Sequence, residues 1–406
     1  MDRLKALKCR ECGEEYPLTK LYFCQKCFAP LEVVYNYDEI SIDTKDLLDR
    51  PKTLWRYFEL LPISDERRIV DLGAGYTTLH RCDKLAKKLG IKEIYIKDDT
   101  TNPTYSFKDR PASVAVSKAL EFGSNRVGCV STGNLAAATA AHAAKAGLEC
   151  QIFIPNNIEH NKIYQASIYG ANLISVNGNY DDANRLAVQA SEHFDWPIVN
   201  VDLRPYYTEG SKSLAYETCE QLDWSLPDHV IVPAASGALL CAINKGFNEL
   251  KKINLIENRK VKISCAQPEG CSPIVDAYRS GESEIIPVED PDTIAKSLAI
   301  GDPGDGIYAL KNIRETKGLA ESATDAEILD AIKLLAKTEG IFSEPAGGVT
   351  IAVLKRLIEG GDVSPDERVV CYVTASGLKA VESIETIIPK PIQIEGELKA
   401  LTKVVS

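Results

Sequence analysis

Lys108 ends a loop reading Asn102-Pro103-Thr104-Tyr105-Ser106-Phe107-Lys108-Asp109-Arg110, and Pro111, a residue favoured in the first turn of a helix, follows it. A cation at a helix start is opposed by the helix macrodipole, and the same field favours the neutral amine that condenses with a carbonyl into a Schiff base. An isolated lysine is an ordinary surface residue, but three other segments of this chain have a related design. Ser131-Thr132-Gly133-Asn134 opens an alanine-rich stretch, Ser236-Gly237-Ala238-Leu239 lies in a run of small residues, and Thr374 begins Thr374-Ala375-Ser376-Gly377-Leu378-Lys379. Hydroxyls and free backbone N–H groups at a helix start can cradle a phosphate or carboxylate. The same residue types are also plain N-caps, so each loop is weak alone and gains meaning only beside the others. Ser343-Glu344-Pro345-Ala346-Gly347-Gly348 is a candidate fifth partner.

A second group of chemically capable residues lies at the N-terminal end. Cys9-x2-Cys12 and Cys24-x2-Cys27 have the spacing of two zinc knuckles. Four cysteine ligands leave no open position on the metal, so a zinc ion there is structural. Lys5, Lys8, Arg10, Lys20 and Lys26 make this segment locally basic, but Glu11, Glu14 and Glu15 interrupt that charge and the whole chain carries −11. Nucleic acid and anionic membranes are therefore poor partners. The other eight cysteines are dispersed, several in apolar runs, and read as small core residues of a reducing compartment. No signal-peptide stretch and no membrane-length apolar run is visible, which predicts a cytoplasmic protein. The five histidines show no metal spacing and receive no role.

The elements that must position these loops follow from periodicity. Short β-branched runs are expected as strands at 93–97, 126–130, 151–155, 172–176, 197–201, 229–233, 263–267 and 369–373. Between them, helical spacing predicts helices at 111–122, 135–146, 181–192, 212–222, 239–250, 326–337 and 349–358. Such alternation implies an α/β fold: two doubly wound, mostly parallel sheets flanking a cleft, with a small four-cysteine ribbon in front. The expected division is 1–35 for the ribbon, 36–115 and 213–395 for a large domain, and 116–212 for a small one. Ligands of such sheets bind at the C-terminal strand ends, where all the loops above fall.

Taken together and in order, the loops resemble the pyridoxal phosphate (PLP) enzymes of the tryptophan synthase β fold, specifically the threonine synthase family. The match rests on Asn102-Pro103-Thr104, Ser106-Phe107-Lys108-Asp109-Arg110 and Ser131-Thr132-Gly133-Asn134. Leu203-Arg204-Pro205, Glu209-Gly210-Ser211-Lys212 and Lys296-Ser297-Leu298-Ala299-Ile300-Gly301 add to it. The resemblance spans roughly residues 66–386. It implies that Lys108 carries the cofactor as a Schiff base and then serves as the mobile acid and base. It gives Asn134 the phenolate oxygen, Ser131 and Thr132 the substrate carboxylate, and Ser236, Gly237, Ala238 and Leu239 the cofactor phosphate. Thr374 faces the pyridine nitrogen, where a hydroxyl, unlike a carboxylate, cannot protonate the ring; this favours elimination and replacement over racemisation. The implied reaction takes O-phospho-L-homoserine and water to L-threonine and phosphate. Arg204 and Lys212 are the candidate clamps for the substrate phosphate, with Lys296 next, and a homodimer is the family's usual assembly.

Three departures bear on the substrate. Tyr105 stands where the commoner pattern has glycine, Thr78 where proline is usual, and the loop Ala234-Ala235-Ser236-Gly237-Ala238 is poor in Gly and Asn. A β-replacing relative such as a cysteate synthase, taking O-phosphoserine and sulfite, has a pocket shorter by one methylene, a difference worth only ~1–3 kcal/mol. A threonine or serine dehydratase needs no second phosphate clamp. A non-catalytic ribbon-bearing binding protein is the alternative of a different class, and the retained Lys108 argues against it.

Overall fold

A computed structural model describes residues 3–131, 133–155, 160–178 and 180–405. The chain opens with a small antiparallel sheet of β1 (Leu4–Cys9), β2 (Glu15–Tyr16) and β3 (Leu31–Tyr35), with β1 in the centre. It then lays down β4 (Leu79–Arg81) and β5 (Glu93–Asp98) before leaving for a separate sheet. That second sheet comprises β6 (Arg126–Val130), β7 (Glu149–Pro155) and β8 (Asn172–Val176), all parallel. The chain returns through β9 (His229–Pro233), β10 (Lys262–Pro268), β11 (Ala320–Ala323) and β12 (Arg368–Val373). These join the earlier pair in one six-stranded sheet of order β11-β10-β9-β12-β5-β4, parallel except for the edge strand β4. Two α/β sheets and a cysteine-bearing ribbon are the predicted fold class.

The central strands are buried along their length, as residues of parallel strands covered by helices on both faces must be; β9 is buried at all five positions and β12 at five of six. Their apolar runs are what periodicity detects. The short edge strands β4 and β11, Leu-His-Arg and Ala-Glu-Ser-Ala, carry no such run, and periodicity does not predict them.

One predicted strand, 197–201, is not a strand. It contributes a single parallel bridge, Ile198 against Gly128. Side chains take the place of the ladder beyond it. Asn200 Oδ1 accepts from Val130 N–H and its Nδ2 donates to Val130 O, both at 3.0 Å. Asp202 accepts from Ile198 N–H at 2.6 Å. Asn and Asp offer the backbone this local alternative to a sheet, and apolar periodicity does not register it.

Candidate functional site

Five loops meet where the C-terminal ends of the two sheets face each other. The loop after β5 delivers Lys108 as the residue preceding the helix Asp109–Glu121. Ser106 bridges Ala375, and Ser376 bridges Ser343, so this loop, the turn after β12 and the segment before the helix Pro345–Glu359 are laced together. Phe107 N–H donates to Thr374 O at 2.8 Å, and Ser376 N–H to Tyr105 O at 3.0 Å. The loop after β6 faces them from the small sheet. Asn134 Nδ2 donates to Glu344 Oε2 at 3.2 Å, and Ser297 Oγ reaches Glu344 Oε1 at the same distance. Glu344 thus joins both sheets at the cleft, giving the Ser343-Glu344 segment a definite place.

The half-buried Lys108 points its amine at the Tyr207 hydroxyl, 2.9 Å away. Sequence reasoning passes over Tyr207; its only signal is its position between Arg204-Pro205 and Glu209-Gly210. The neighbours of Lys108 do structural work. Asp109 is buried and accepts from Thr104 N–H and the Thr104 hydroxyl at 2.7 and 2.9 Å. Burial outweighs those donors and raises its carboxyl to about 7. Arg110, wholly buried, is bound by Asp99 and Glu217, and Glu217 also takes Lys97 at 2.7 Å. Gly75 must be glycine here, because a Cβ would lie 2.9 Å from both Arg110 Nη1 and Glu217 Oε1.

Tyr105 has φ +65, in the left-handed region that costs a side-chain-bearing residue roughly 1–2 kcal/mol. The turn itself therefore accounts for glycine in the commoner pattern. Tyr105→Gly is expected to stabilise the protein by about 0.5 kcal/mol, since glycine's larger unfolded-state entropy offsets part of the relief. Urea unfolding measures it, and a loss of stability would show that ring contacts outweigh the backbone strain.

The small-residue loop after β9 forms the other end of the site. Gly237 has φ +89 and precedes the helix Ala238–Lys252, whose first N–H groups have no intrahelical partner. A Cβ on Gly237 would sit 2.9 Å from Ala309 Cβ and from Asp305 O. Ser236, Gly237, Ala238 and Leu239 can therefore present backbone N–H groups closely to a phosphate, as the sequence suggests. Ser106 Oγ and Ser343 Oγ are buried without hydrogen-bond partners. Both lie on loops of this site and suit a polar ligand there. These features fit PLP: an amine for its aldehyde, a cradle for its phosphate and two unmatched hydroxyls on loops of the same site. Ser131 and Thr374 are buried at strand ends, with Ser131 Oγ accepting from Gly133 N–H at 3.1 Å. Thr132 lies outside the described residues.

Both expected phosphate clamps have carboxylate partners, and Lys212 alone is wholly enclosed by them. Lys212 is fully buried, its ammonium 2.6 Å from Glu209 and 2.9 Å from Glu249 and 4.1 Å from the centre of the Tyr35 ring. Its charge is already neutralised inside the protein. Arg204 pairs with Asp305 beside the ribbon. Two lysines at the cleft have no carboxylate within ion-pair distance among the described residues. Lys296 is exposed next to Ser297, and Lys379 donates to Thr104 O at 3.0 Å and Gln165 Oε1 at 2.6 Å. Burial lowers the Lys379 pKa, and Glu344 and Asp109 offset this only in part. Lys379 also ties the Lys108 loop to the helix His160–Ile168 beside the small sheet.

In the ribbon, the sulfur atoms of Cys9, Cys12, Cys24 and Cys27 lie within 4.8 Å of one another. The separations Cys9–Cys27 and Cys12–Cys24 are 3.5 and 3.6 Å, near the ~3.8 Å edge of a tetrahedron with 2.3 Å metal–sulfur bonds. Cys12 N–H donates to Cys9 Sγ and Lys26 N–H to Cys24 Sγ, at 3.4 and 3.3 Å. The donor set suits zinc, with no free position for catalysis. No helix among the described residues is long and apolar enough to cross a membrane.

Comparison with known proteins gives the same chemistry. The family model described as pyridoxal-phosphate dependent enzyme matches residues 70–375. The threonine synthase of Methanocaldococcus jannaschii is 41% identical over 400 residues, covering 98% of each chain. That of Methanosarcina acetivorans is 40% identical over 401 residues with the same coverage. Among solved structures, maize serine racemase superposes with a TM-score of 0.65 at 22% identity, covering 77% of this chain and 91% of that one; at that identity the likeness is one of fold.

Proposed function

The chain belongs to the threonine synthase family of pyridoxal-phosphate-dependent enzymes, and from that premise we propose how its own residues divide the work. The reaction is conversion of O-phospho-L-homoserine and water to L-threonine and phosphate. The observation that carries the assignment is a half-buried lysine amine at the mouth of a two-sheet cleft, opposite a helix start stripped of side-chain bulk. When bound, PLP supplies an aldehyde for an amino group and a ring that withdraws electrons from Cα.

The protein supplies the rest. Lys108 would hold the cofactor and, as a free amine, would take protons from Cα and then Cβ and return protons to Cγ and Cα. Tyr207, bonded to that amine, orients it. Ser131 and Thr132 would hold the substrate carboxylate, Asn134 would hold the cofactor's phenolate oxygen, and Thr374 would offer the ring nitrogen a hydroxyl that cannot protonate it. The leaving phosphate needs cations that nothing else neutralises. Lys379 and Lys296 meet that condition, and Lys212 does not. Phosphate would depart from Cγ on the electron pair of the Cβ–H bond, and water would add at Cβ with loss of one proton, which the phosphate takes up. The ribbon holds a structural zinc, and the working form is a cytoplasmic homodimer.

The test offers the PLP-saturated protein O-phospho-L-homoserine in one vessel and O-phospho-L-serine with sulfite in another. Threonine from the first and no sulfonate from the second is the expected result. The reverse pattern would transfer the assignment to the shorter substrate.

A further inference from the structure

Two neighbouring side chains of the ribbon, Arg10 and Glu11, reach the cofactor end of the molecule, Glu11 by a hydrogen bond to Tyr308 and Arg10 by an ion pair. Arg10, between the ligand candidates Cys9 and Cys12, extends its Nη1 to Asp305 Oδ1 at 2.7 Å. Its guanidinium carbon also lies 3.7 Å from the centre of the Tyr308 ring. Asp305 is buried, at 3% exposure, so the ion pair is largely withdrawn from water and charge-assisted.

Asp305 in turn touches the phosphate cradle twice. Its N–H donates to Ser236 O at 2.9 Å, and its own carbonyl oxygen backs Gly237. Tyr308 belongs to the helix Gly306–Thr316, which also supplies Ala309, the other wall behind Gly237. Arg10, Asp305, Ala238 and Cys241 line one small cavity of about 60 Å³. Arg10 therefore meets the loop and the helix that together back the cradle, and it does so from a turn shaped by two of the four cysteines.

We propose that Arg10 is a positioning residue for the PLP phosphate cradle, acting through Asp305, and that zinc in the ribbon sustains cofactor affinity by holding Arg10 in place. The proposal rests on the reading of Ser236–Leu239 as that cradle. The metal supplies no chemistry to the cleft; it fixes the knuckle from which Arg10 extends.

The experiment titrates the PLP-free protein with PLP and reads the dissociation constant from the absorbance of the bound cofactor. Arg10→Ala is expected to raise that constant about tenfold, the order of one charge-assisted hydrogen bond. Arg10→Lys should recover part of the loss, and Asp305→Asn, which removes the counter-charge of both Arg10 and Arg204, should shift it the same way and at least as far. Chelating the metal should weaken PLP binding in the natural protein and add nothing in Arg10→Ala. Lys20→Ala, which removes the ribbon's separate ion pair with Asp195, should leave PLP affinity unchanged. Gly237→Ala reports on the cradle itself. If it weakens PLP binding while Arg10→Ala does not, the coupling is wrong and the cradle stands. If neither variant alters PLP binding, the cradle reading fails and takes the proposal with it. A lower melting temperature for Arg10→Ala with unchanged PLP affinity would reduce Arg10 to a structural tie and overturn the proposal.

Discussion

Lys108→Ala is expected to lose threonine formation by ~10³-fold or more, the scale of removing a group that both anchors a cofactor and carries protons. The visible absorbance of the cofactor bound through that lysine should vanish with it. Two observations make the effect large. The amine is half-buried and already held 2.9 Å from Tyr207, so it works in a fixed direction, and no water placed there would reproduce that geometry. Lys379, a second lysine at the cleft, spends two of its donors on Thr104 O and Gln165 and cannot swing into the role. Steady-state assay of phosphate release measures the loss, and added primary amines should restore a small part of it. Retention of more than about a tenth of the activity would remove Lys108 from the centre of the chemistry.

Arg110→Met carries the largest expected effect on stability. The guanidinium is wholly buried, with Asp99 and Glu217 as its counter-charges and Lys97 on the far side of Glu217. Removing it leaves two buried carboxylates facing a single lysine, a change that costs ~3–5 kcal/mol. The same cluster sets a pH dependence. Burial alone would raise the Glu217 carboxyl, but Arg110 and Lys97 overcome that and hold it at about 2, below the ordinary 4.5. A depressed carboxylate stabilises the fold fully above its unfolded value, and that contribution disappears as pH falls from about 4.5 toward about 2. Asp109 works in the opposite sense: its raised value makes stability decline as pH climbs from about 3.8 to about 7. Urea unfolding as a function of pH separates them. Arg110→Met should lower the midpoint at neutral pH and flatten the acid limb that belongs to Glu217. A variant as stable as the natural protein would mean that the network can be replaced by packing alone.

Much of this architecture is legible in the sequence because the relevant signals are local. Strands such as His229–Pro233 and Arg368–Val373 are uninterrupted apolar runs, and the loops after them carry the small and hydroxylated residues that helix starts require. The cysteine pairs likewise announce their own turn. The phosphate clamp is not legible in the same way, because a charge is visible in sequence and its neutralising partner is not. Glu209 lies three residues before Lys212, within helical reach, whereas Glu249 comes from a distant helix and Tyr35 from the ribbon. Lys379 is the converse case, an ordinary lysine until folding sets it between the Lys108 loop and the small sheet's side of the cleft. In the sequence Tyr105 reads as a departure affecting the substrate, and its φ of +65 makes it a departure in backbone strain.

The most direct test of the central reading is to run the reaction with O-phospho-L-homoserine in water enriched in heavy oxygen, and to follow both products by mass spectrometry. Elimination from Cγ followed by water addition at Cβ predicts threonine carrying one heavy oxygen on its side chain. It also predicts an equal amount of phosphate with none, because the bond broken is carbon–oxygen. Homoserine together with heavy-oxygen phosphate would mean that the phosphorus–oxygen bond was cut, and would contradict the assignment of this cleft to threonine synthesis.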